Sequence, residues 1–467
     1  MLQACQVSCT IIFMHLFKHQ SEAIKRFKNK SGAILFEMGL GKTRTAIELF
    51  KESDSLVCLV VAPISLLEAA WREDIKKFSD IPCCNIRKGE EPLKGKHFLL
   101  VNYEYLLSEK KLNELLKLCP QDSMIVIDES SRMKNHKSKI TKLLLNLRDK
   151  FKYRYVMSGC PAPNSELEYY AQMEFIQPGI FGSSFFKFRN TFFHLSRGKQ
   201  VMQGKFVPPD TMQKLFMSGW KYKITEYNRK RLMGIISPYC DVRKKVDCLD
   251  LPEEIDEIRE VEMTKEQSKI YNDMKRHLIS EIKGRSIIAQ VVLAKLQKLR
   301  EATSGFMYDD TGVAHEIEGG NPKLKELIDV IEEAGEQPVI IWATFKYEII
   351  KIIEKLKEIA PTGALYSDGG NRDEVVQDFL NGKIRYLVAH PKSGAHGLRM
   401  VNCSLQIFFS MDFSFESFIQ AKARIHRLGQ TKTCVYIHLN CNNSIDEQIL
   451  EVLKRKGDMQ ELLSSLK

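Results

Sequence analysis

The chain has 467 residues, 44% hydrophobic and 28% charged, which excludes a disordered or fibrous polypeptide and leaves room for two or three domains. Seventy Lys and Arg against 59 Asp and Glu give a net charge of +11, an excess that suits a polyanionic partner without requiring one. No uninterrupted apolar run reaches the ~18 residues of a membrane span, and the twelve cysteines include no C-x-x-C pair. Adjacent Cys83 and Cys84 suit neither a zinc site nor a simple disulfide. Reduced, mostly buried thiols in a cytosolic or nuclear compartment are expected.

Residues 1–13 are mildly apolar and uncharged, without the basic start of a signal peptide. Met14 follows, so they read as a tail or a translation-start artefact. From Leu16 the sequence becomes informative. Ala23, Ile24 and Phe27 fall on one helical face. Gln20 precedes them, and an amide can pair with the N6/N7 edge of adenine; the alternative is an ordinary surface residue. The apolar run of residues 32–36 then leads into Glu37-Met38-Gly39-Leu40-Gly41-Lys42-Thr43, and Ala46, Ile47 and Phe50 follow at helical spacing. Strand, glycine turn and helix form the context of a phosphate-binding loop. Gly39 and Gly41 let backbone N–H groups turn inward, and the helix N-terminus adds positive potential. Lys42 would reach the β- and γ-phosphates, and Thr43 would hold Mg²⁺. Phe36 stands where the general pattern has Gly, so an ordinary strand-to-helix turn is the competing account.

Residues 56–62 form a continuous apolar run ended by Pro63, the signature of a buried parallel strand. Ser65 then opens a helix that carries Trp71. Residues 97–101 repeat the pattern and run into Asn102-Tyr103-Glu104. Residues 124–127 do so again and end in Asp128-Glu129. Carboxylates at the C-terminal end of a buried strand lie where open α/β sheets bind ligands. Asp128 would hold Mg²⁺ and Glu129 would deprotonate the attacking water. Helix capping is the other use of such a pair. Residues 153–157 are a fourth run, followed by Ser158-Gly159-Cys160-Pro161.

Residues 183–250 break this rhythm, with fourteen Lys/Arg against five Asp/Glu and with Phe185, Phe186, Phe188, Phe192, Phe193, Trp220, Tyr222 and Tyr227 among the interleaved aromatic residues. Such a stretch, with Arg229, Lys230 and Arg231 at its centre, can track a nucleic-acid backbone. It can also be a solvated basic face over a small aromatic core. Helical spacing resumes over residues 261–299. Gly319-Gly320-Asn321-Pro322 is the clearest break, and strands are predicted at 338–342, 385–389 and 405–409. The run Gln420-Ala421-Lys422-Ala423-Arg424-Ile425-His426-Arg427-Leu428-Gly429-Gln430 places Arg424 and Arg427 three apart. That spacing predicts one shared helical face, suited to a polyphosphate or to plain surface charge.

In this order, Gln20, residues 37–43, Asp128-Glu129, 158–161, 393–398 and 420–430 resemble the Swi/Snf-like ATPases of helicase superfamily two, in a compact, phage- or virus-like form. The resemblance covers nearly the whole chain from Met14. It implies an α/β fold of two RecA-like, doubly wound parallel-sheet lobes with helical protrusions. Lobe one would span 14–250, with a basic aromatic protrusion at about 178–250, and lobe two 251–467, with a helical protrusion at about 251–319. The cofactors implied are ATP and Mg. Lobe one would supply Gln20, Gly39, Gly41, Lys42, Thr43, Asp128 and Glu129. Lobe two would supply Gln420 to the nucleotide, and Arg424 and Arg427 as arginine fingers. Ser65, Asn102, Thr344 and Ser393 would touch nucleic acid.

The departures are Ser130-Ser131 for Ala-His, Cys160 for Thr, Arg399 for Asn and Ala423 for Asp or Gly. None removes a catalytic group. The activity implied is a DNA-dependent ATPase that moves along double-stranded DNA, as a monomeric motor without accessory modules. A cytoplasmic setting is expected, in a host cytosol or nucleoid, or the nucleus of a eukaryote. A strand-separating DNA or RNA helicase acting on single strands is the alternative from the same superfamily. An ATP-regulated nucleic-acid-binding protein without turnover is the alternative from another class.

Overall fold

A computed structural model describes residues 15–92, 94–182, 184–197, 200–202, 220–284, 289–366, 372–394 and 398–455. The chain divides into two compact units, the first ending at Leu251 and the second resuming at Pro252. The first is built on β1 (Gly32–Phe36), β2 (Val57–Ala62), β3 (Cys83–Asn85), β4 (His97–Asn102), β5 (Met124–Asp128) and β6 (Tyr153–Met157). Three short strands, β7 (Phe193–Arg197), β8 (Gln200–Met202) and β9 (Lys221–Ile224), make a small sheet of their own. β10 (Cys240–Arg243) then returns to the main sheet, whose seven strands run β10-β1-β6-β5-β2-β4-β3, all parallel.

The apolar runs are continuous because both faces of the sheet are covered. Along β2, Val57, Leu59 and Val61 enter one hydrophobic cluster, and Cys58, Val60 and Ala62 enter the other. Helix Lys18–Phe27 packs Ala23, Ile24 and Phe27 into the second cluster.

The second unit contains β11 (Glu254–Val261), a hairpin of β12 (Phe306–Tyr308) and β13 (Ala314–Glu316), β14 (Val339–Trp342), β15 (Thr362–Leu365), β16 (Tyr386–Ala389), β17 (Leu405–Phe408) and β18 (Cys434–Cys441). Its six-stranded sheet runs β11-β18-β17-β14-β16-β15, again parallel throughout. The fold is thus two parallel α/β sheets with helices, as the sequence implied. The stretches expected as protrusions hold both helices and strands. Helices Phe185–Phe192, Glu226–Ile236, Lys265–Gly284 and Ala289–Thr303 are present. However, residues 240–243 and 254–261 are edge strands of the two sheets. The ten described cysteines are all free thiols. No helix among the described residues is long and apolar enough to cross a membrane.

A buried ion pair fastens the second unit. Lys323, at the start of helix Pro322–Ala334, lies 2.6 Å from Asp446 on helix Ile445–Lys454, and both are nearly inaccessible. Asp446 also accepts from Thr303 Oγ1 at 3.1 Å and from the Cys441 N–H at 3.3 Å. Removing one member of such a pair leaves an uncompensated buried charge, at a cost of about 3–5 kcal/mol. Lys323→Met should therefore lower the urea midpoint of the transition reported by Trp342, which lies in the same unit. An unchanged midpoint would show that water reaches Asp446.

Candidate functional site

In a parallel sheet all strand C-termini share one edge, and the loops leaving that edge carry the ligand chemistry. In the first unit these loops are residues 37–43 after β1, 63–65 after β2, 102–104 after β4, 128–130 after β5 and 158–161 after β6. Most residues singled out in the first unit's sequence therefore converge on one rim, and the order β1-β6-β5 keeps the glycine loop and the acid pair two strands apart.

The glycine loop turns through two left-handed residues, Gly39 (φ 92°) and Gly41 (φ 76°), before helix Lys42–Glu52 begins. An L side chain avoids that region. Space is also tight at Gly41, where an added Cβ would lie 2.1 Å from Gln20 Nε2. Lys42 Nζ donates to the Phe36 carbonyl oxygen at 3.1 Å. A glycine at position 36 is not required: the loop uses the Phe36 carbonyl, while its ring is buried in the core. Gln20, expected at an adenine edge, bonds to the loop. Its Nε2 donates to Leu40 O at 3.3 Å and Gly41 O at 3.4 Å, and its Oε1 accepts from Phe17 N at 3.0 Å. His19 Nε2 adds a 2.9 Å bond to Leu40 O, and burial holds its imidazole below the usual pKa. At the loop entrance, Glu37 accepts from the Lys245 N–H at 2.7 Å and its own N–H donates to Arg243 O at 2.9 Å. Gly159 closes the other side, its would-be Cβ 2.9 Å from Met38 Cγ and 3.5 Å from Lys42 Nζ.

Asp128 ends β5 and is 5% exposed. Burial pushes its pKa up, while the Trp71 hydrogen bond and the Lys42 charge pull it back. Trp71 Nε1–H donates to Oδ2 at 2.9 Å, the Glu129 N–H donates to Oδ1 at 2.9 Å, and Tyr103 O–H donates to the Asp128 carbonyl oxygen at 2.6 Å. Glu129 is a non-glycine residue in the left-handed region (φ 51°) and is half-buried. It precedes the short helical turn Ser130–Met133 without a side-chain capping bond to it, which disfavours the capping account. Ser130 Oγ donates to Gln172 Oε1 at 2.7 Å, and Gln172 Nε2 donates to Pro161 O at 2.6 Å. The serine that departs from the family spelling thus ties the acid pair to the loop after β6. Sequence reasoning assigned no role to Trp71, Tyr103 or Gln172. A buried Trp or Tyr with a polar tip is the signal that was available.

Comparison with known proteins follows this geometry. The SNF2-related domain matches residues 17–305, and the helicase conserved C-terminal domain matches residues 322–429. The chain belongs to the SNF2-related family. The putative protein p41 of Acyrthosiphon pisum secondary endosymbiont phage 1 is 26% identical, over 97% of each chain. The chromatin structure-remodeling complex subunit snf21 of Schizosaccharomyces pombe is 25% identical over 92% of this chain. An uncharacterized ATP-dependent helicase of Mycoplasma genitalium is 25% identical over 95%. The chain spans only 37% and 42% of the length of these last two. The SWI2/SNF2 ATPase core of Sulfolobus solfataricus, solved in complex with double-stranded DNA, aligns over 94% of this chain and 91% of its own, at 24% identity and a TM-score of 0.42.

In the second unit of this SNF2-related chain, Thr344 follows β14 and Ser393 follows β16, so both lie on the C-terminal rim of that sheet. Thr344 is fixed by Ser410 Oγ at 2.9 Å and by the Arg300 guanidinium. Residues 395–397 lie outside the described residues. The shared helical face expected for Arg424 and Arg427 is not formed, because helix Phe415–Lys422 ends before them. The two guanidiniums converge by another route. Arg424 Nη1 and Arg427 Nη1 both donate to Leu398 O, at 3.1 and 2.8 Å, and Arg424 Nε donates to Gln420 O at 2.8 Å. Arg424 and Gln420 are buried.

The basic segment divides between its two accounts. Phe188, Phe192 and Phe193 are buried with Phe181 in the first unit's core. Arg229 is paired with Glu166 at 2.7 Å and Glu226 at 2.9 Å. Lys230 and Arg231 are exposed on the same helix, and Phe186 and Tyr227 are exposed aromatics. Residues 203–219, with part of the positive charge, lie outside the described residues.

The loop's left-handed glycines, the helix N-terminus and the oxygen donors Thr43 and Asp128 fit a magnesium nucleoside triphosphate. Gly41→Ala should test the loop. The left-handed backbone alone costs about 1–2 kcal/mol, and Gln20 must also move. Nucleotide affinity should fall by ~tenfold or more, and the strain should lower the melting temperature by no more than a few degrees. Parent affinity in Gly41→Ala would show that the loop does not bind the phosphates.

Proposed function

We propose that this protein is an ATPase stimulated by double-stranded DNA, which uses ATP hydrolysis to move along the duplex. The observation that carries the reading is the convergence, on one sheet rim of an SNF2-related chain, of a left-handed glycine loop, Lys42 and the acid pair. In this reading the loop N–H groups and Lys42 hold the β- and γ-phosphates, while Gln20 keeps the loop in shape. Thr43 and Asp128 hold Mg²⁺, which neutralises phosphate charge when bound. Glu129, more accessible than Asp128, orients the attacking water and takes its proton. Arg427 and Arg424 act as arginine fingers, stabilising charge on the transferring phosphoryl group.

The duplex is held through Ser65 and Asn102 in the first unit and Thr344 and Ser393 in the second. Lys230 and Arg231 add phosphate contacts. Arg229 contributes less, because two carboxylates already neutralise it. ATP dependence accords with the Mycoplasma genitalium relative, described as an ATP-dependent helicase.

The deciding experiment compares ATPase rates without nucleic acid and with duplex DNA, single-stranded DNA or RNA. Stimulation by duplex above the others supports the proposal. Stimulation by single strands together with strand displacement supports a helicase instead, and no turnover under any condition supports a binding protein.

Two variants probe the chemistry. Glu129→Gln should retain ATP and lose turnover, and near-parent turnover would remove Glu129 as the base. Arg427→Ala should bind ATP and DNA, melt like the parent and lose duplex-stimulated hydrolysis by about 10³-fold or more. Early melting, with activity falling only in step with the folded fraction, would make Arg427 a brace for Leu398 rather than a finger.

A further inference from the structure

Asp128 is gripped by two aromatic donors, one from the helical run after β2 and one from the end of β4. Trp71 Nε1–H reaches its carboxylate at 2.9 Å, and Tyr103 O–H reaches its carbonyl oxygen at 2.6 Å and Glu129 O at 3.4 Å. Both rings are buried in the first unit. Their polar tips serve only the acid pair among the hydrogen bonds of the described residues.

Each donor is joined to a residue expected on the duplex. Ser65 and Trp71 lie on one continuous helical run, Ile64–Leu66, Leu67–Arg72 and Glu73–Phe78, whose middle part is a π-helix. Such wide turns are rare and recur at functional sites. Asn102 ends β4 and directly precedes Tyr103. A helical run and a strand end are stiff, so a shift at Ser65 or Asn102 moves the attached N–H or O–H with it. A donor of this kind sets the orientation of a carboxylate that binds a metal.

We propose that Trp71 and Tyr103 are positioning residues that couple duplex contact to the geometry of Asp128 and Glu129 within the first unit. The proposal rests on the reading of Asp128 as the magnesium carboxylate. It differs from finger insertion, because it needs no residue of the second unit. By linkage, whatever the duplex does to magnesium-nucleotide affinity, the magnesium nucleotide does to duplex affinity by the same factor.

The test uses the full chain and a fluorescent, non-hydrolysable ATP analogue. The Mg²⁺ concentration for half-maximal binding is measured with and without duplex DNA. Trp71→Phe removes the N–H but also volume. A second variant therefore carries benzothienylalanine at position 71, which keeps the bicyclic shape and replaces only the N–H by sulfur. Tyr103→Phe removes only the hydroxyl. Duplex should lower the Mg²⁺ requirement of the parent and of Arg427→Ala. The benzothienyl variant should need ~tenfold more Mg²⁺ and should lose the duplex effect. Tyr103→Phe should weaken the duplex effect; Trp71→Phe should melt below the parent because of the void it leaves, and the benzothienyl and Tyr103→Phe chains should stay folded at the assay temperature.

The proposal is overturned if the parent's Mg²⁺ requirement ignores duplex, or if folded benzothienyl and Tyr103→Phe chains behave like the parent. Loss of the duplex effect in Arg427→Ala alone would assign the coupling to the finger. Asp128→Asn separates the two layers. If it keeps the parent's Mg²⁺ requirement, the magnesium reading itself is wrong. If it loses magnesium-dependent binding while the Trp71 variants do not, only the positioning role falls.

Discussion

A carboxylate almost out of reach of water at the end of a central strand is the constraint around which the first unit is arranged. Burial alone favours the protonated form of Asp128, and an ionised carboxylate there needs donors and a nearby cation. The chain supplies them from different directions: the Trp71 N–H, the Glu129 N–H and the Lys42 ammonium. Trp71 comes from the helical run after β2 and Lys42 from the end of the glycine loop, so neither element can be rearranged independently of the acid pair.

The parallel order of the sheet makes this affordable. Because every strand ends on the same rim, the glycine loop, the acid pair and the loop after β6 meet without any long connection. Short bridges then lock neighbours: Gln20 to the glycine loop, and Ser130 through Gln172 to Pro161. The second unit repeats the scheme with different chemistry. Thr344 on its rim is held by Ser410 and Arg300, and Glu348 accepts from Ser410 Oγ at 2.6 Å and from the Thr344 N–H at 3.1 Å. A polar residue expected to face nucleic acid is thus pinned by a buried network rather than left to rotate.

Positive charge is a weaker guide than position. Arg229 sits in the most basic segment, yet two glutamates hold it, and several aromatics of the same segment are core. Arg424 is nearly inaccessible and faces backbone carbonyls. Lys230 and Arg231 are as exposed as Arg229, and what distinguishes them is that neither forms an ion pair among the described residues, which composition does not record.

The sequence by itself determined the interior strands and the rim. Strands β1, β2, β4, β5, β6, β14, β16 and β17 are buried on both faces, so they read as continuous apolar runs, and the motif residues sit where those runs stop. Only the tertiary structure decided the edges. β3, β10, β11 and β15 are the four outermost strands, and with one side open they are short or carry exposed polar residues, which leaves no run to recognise. β18 is interior but hides for another reason. His438 interrupts its apolar pattern and is tolerated because Asp256 on β11 accepts its Nε2–H at 2.8 Å. Spacing likewise put Arg424 and Arg427 on one helix, whereas the chain leaves the helix after Lys422 and brings both to Leu398 by a turn. The partners of Asp128 were invisible for the same reason. Trp71 and Tyr103 are far from it in sequence, and only the packing of β2, β4 and β5 side by side brings the Trp71 N–H to its carboxylate and the Tyr103 O–H to its backbone carbonyl oxygen.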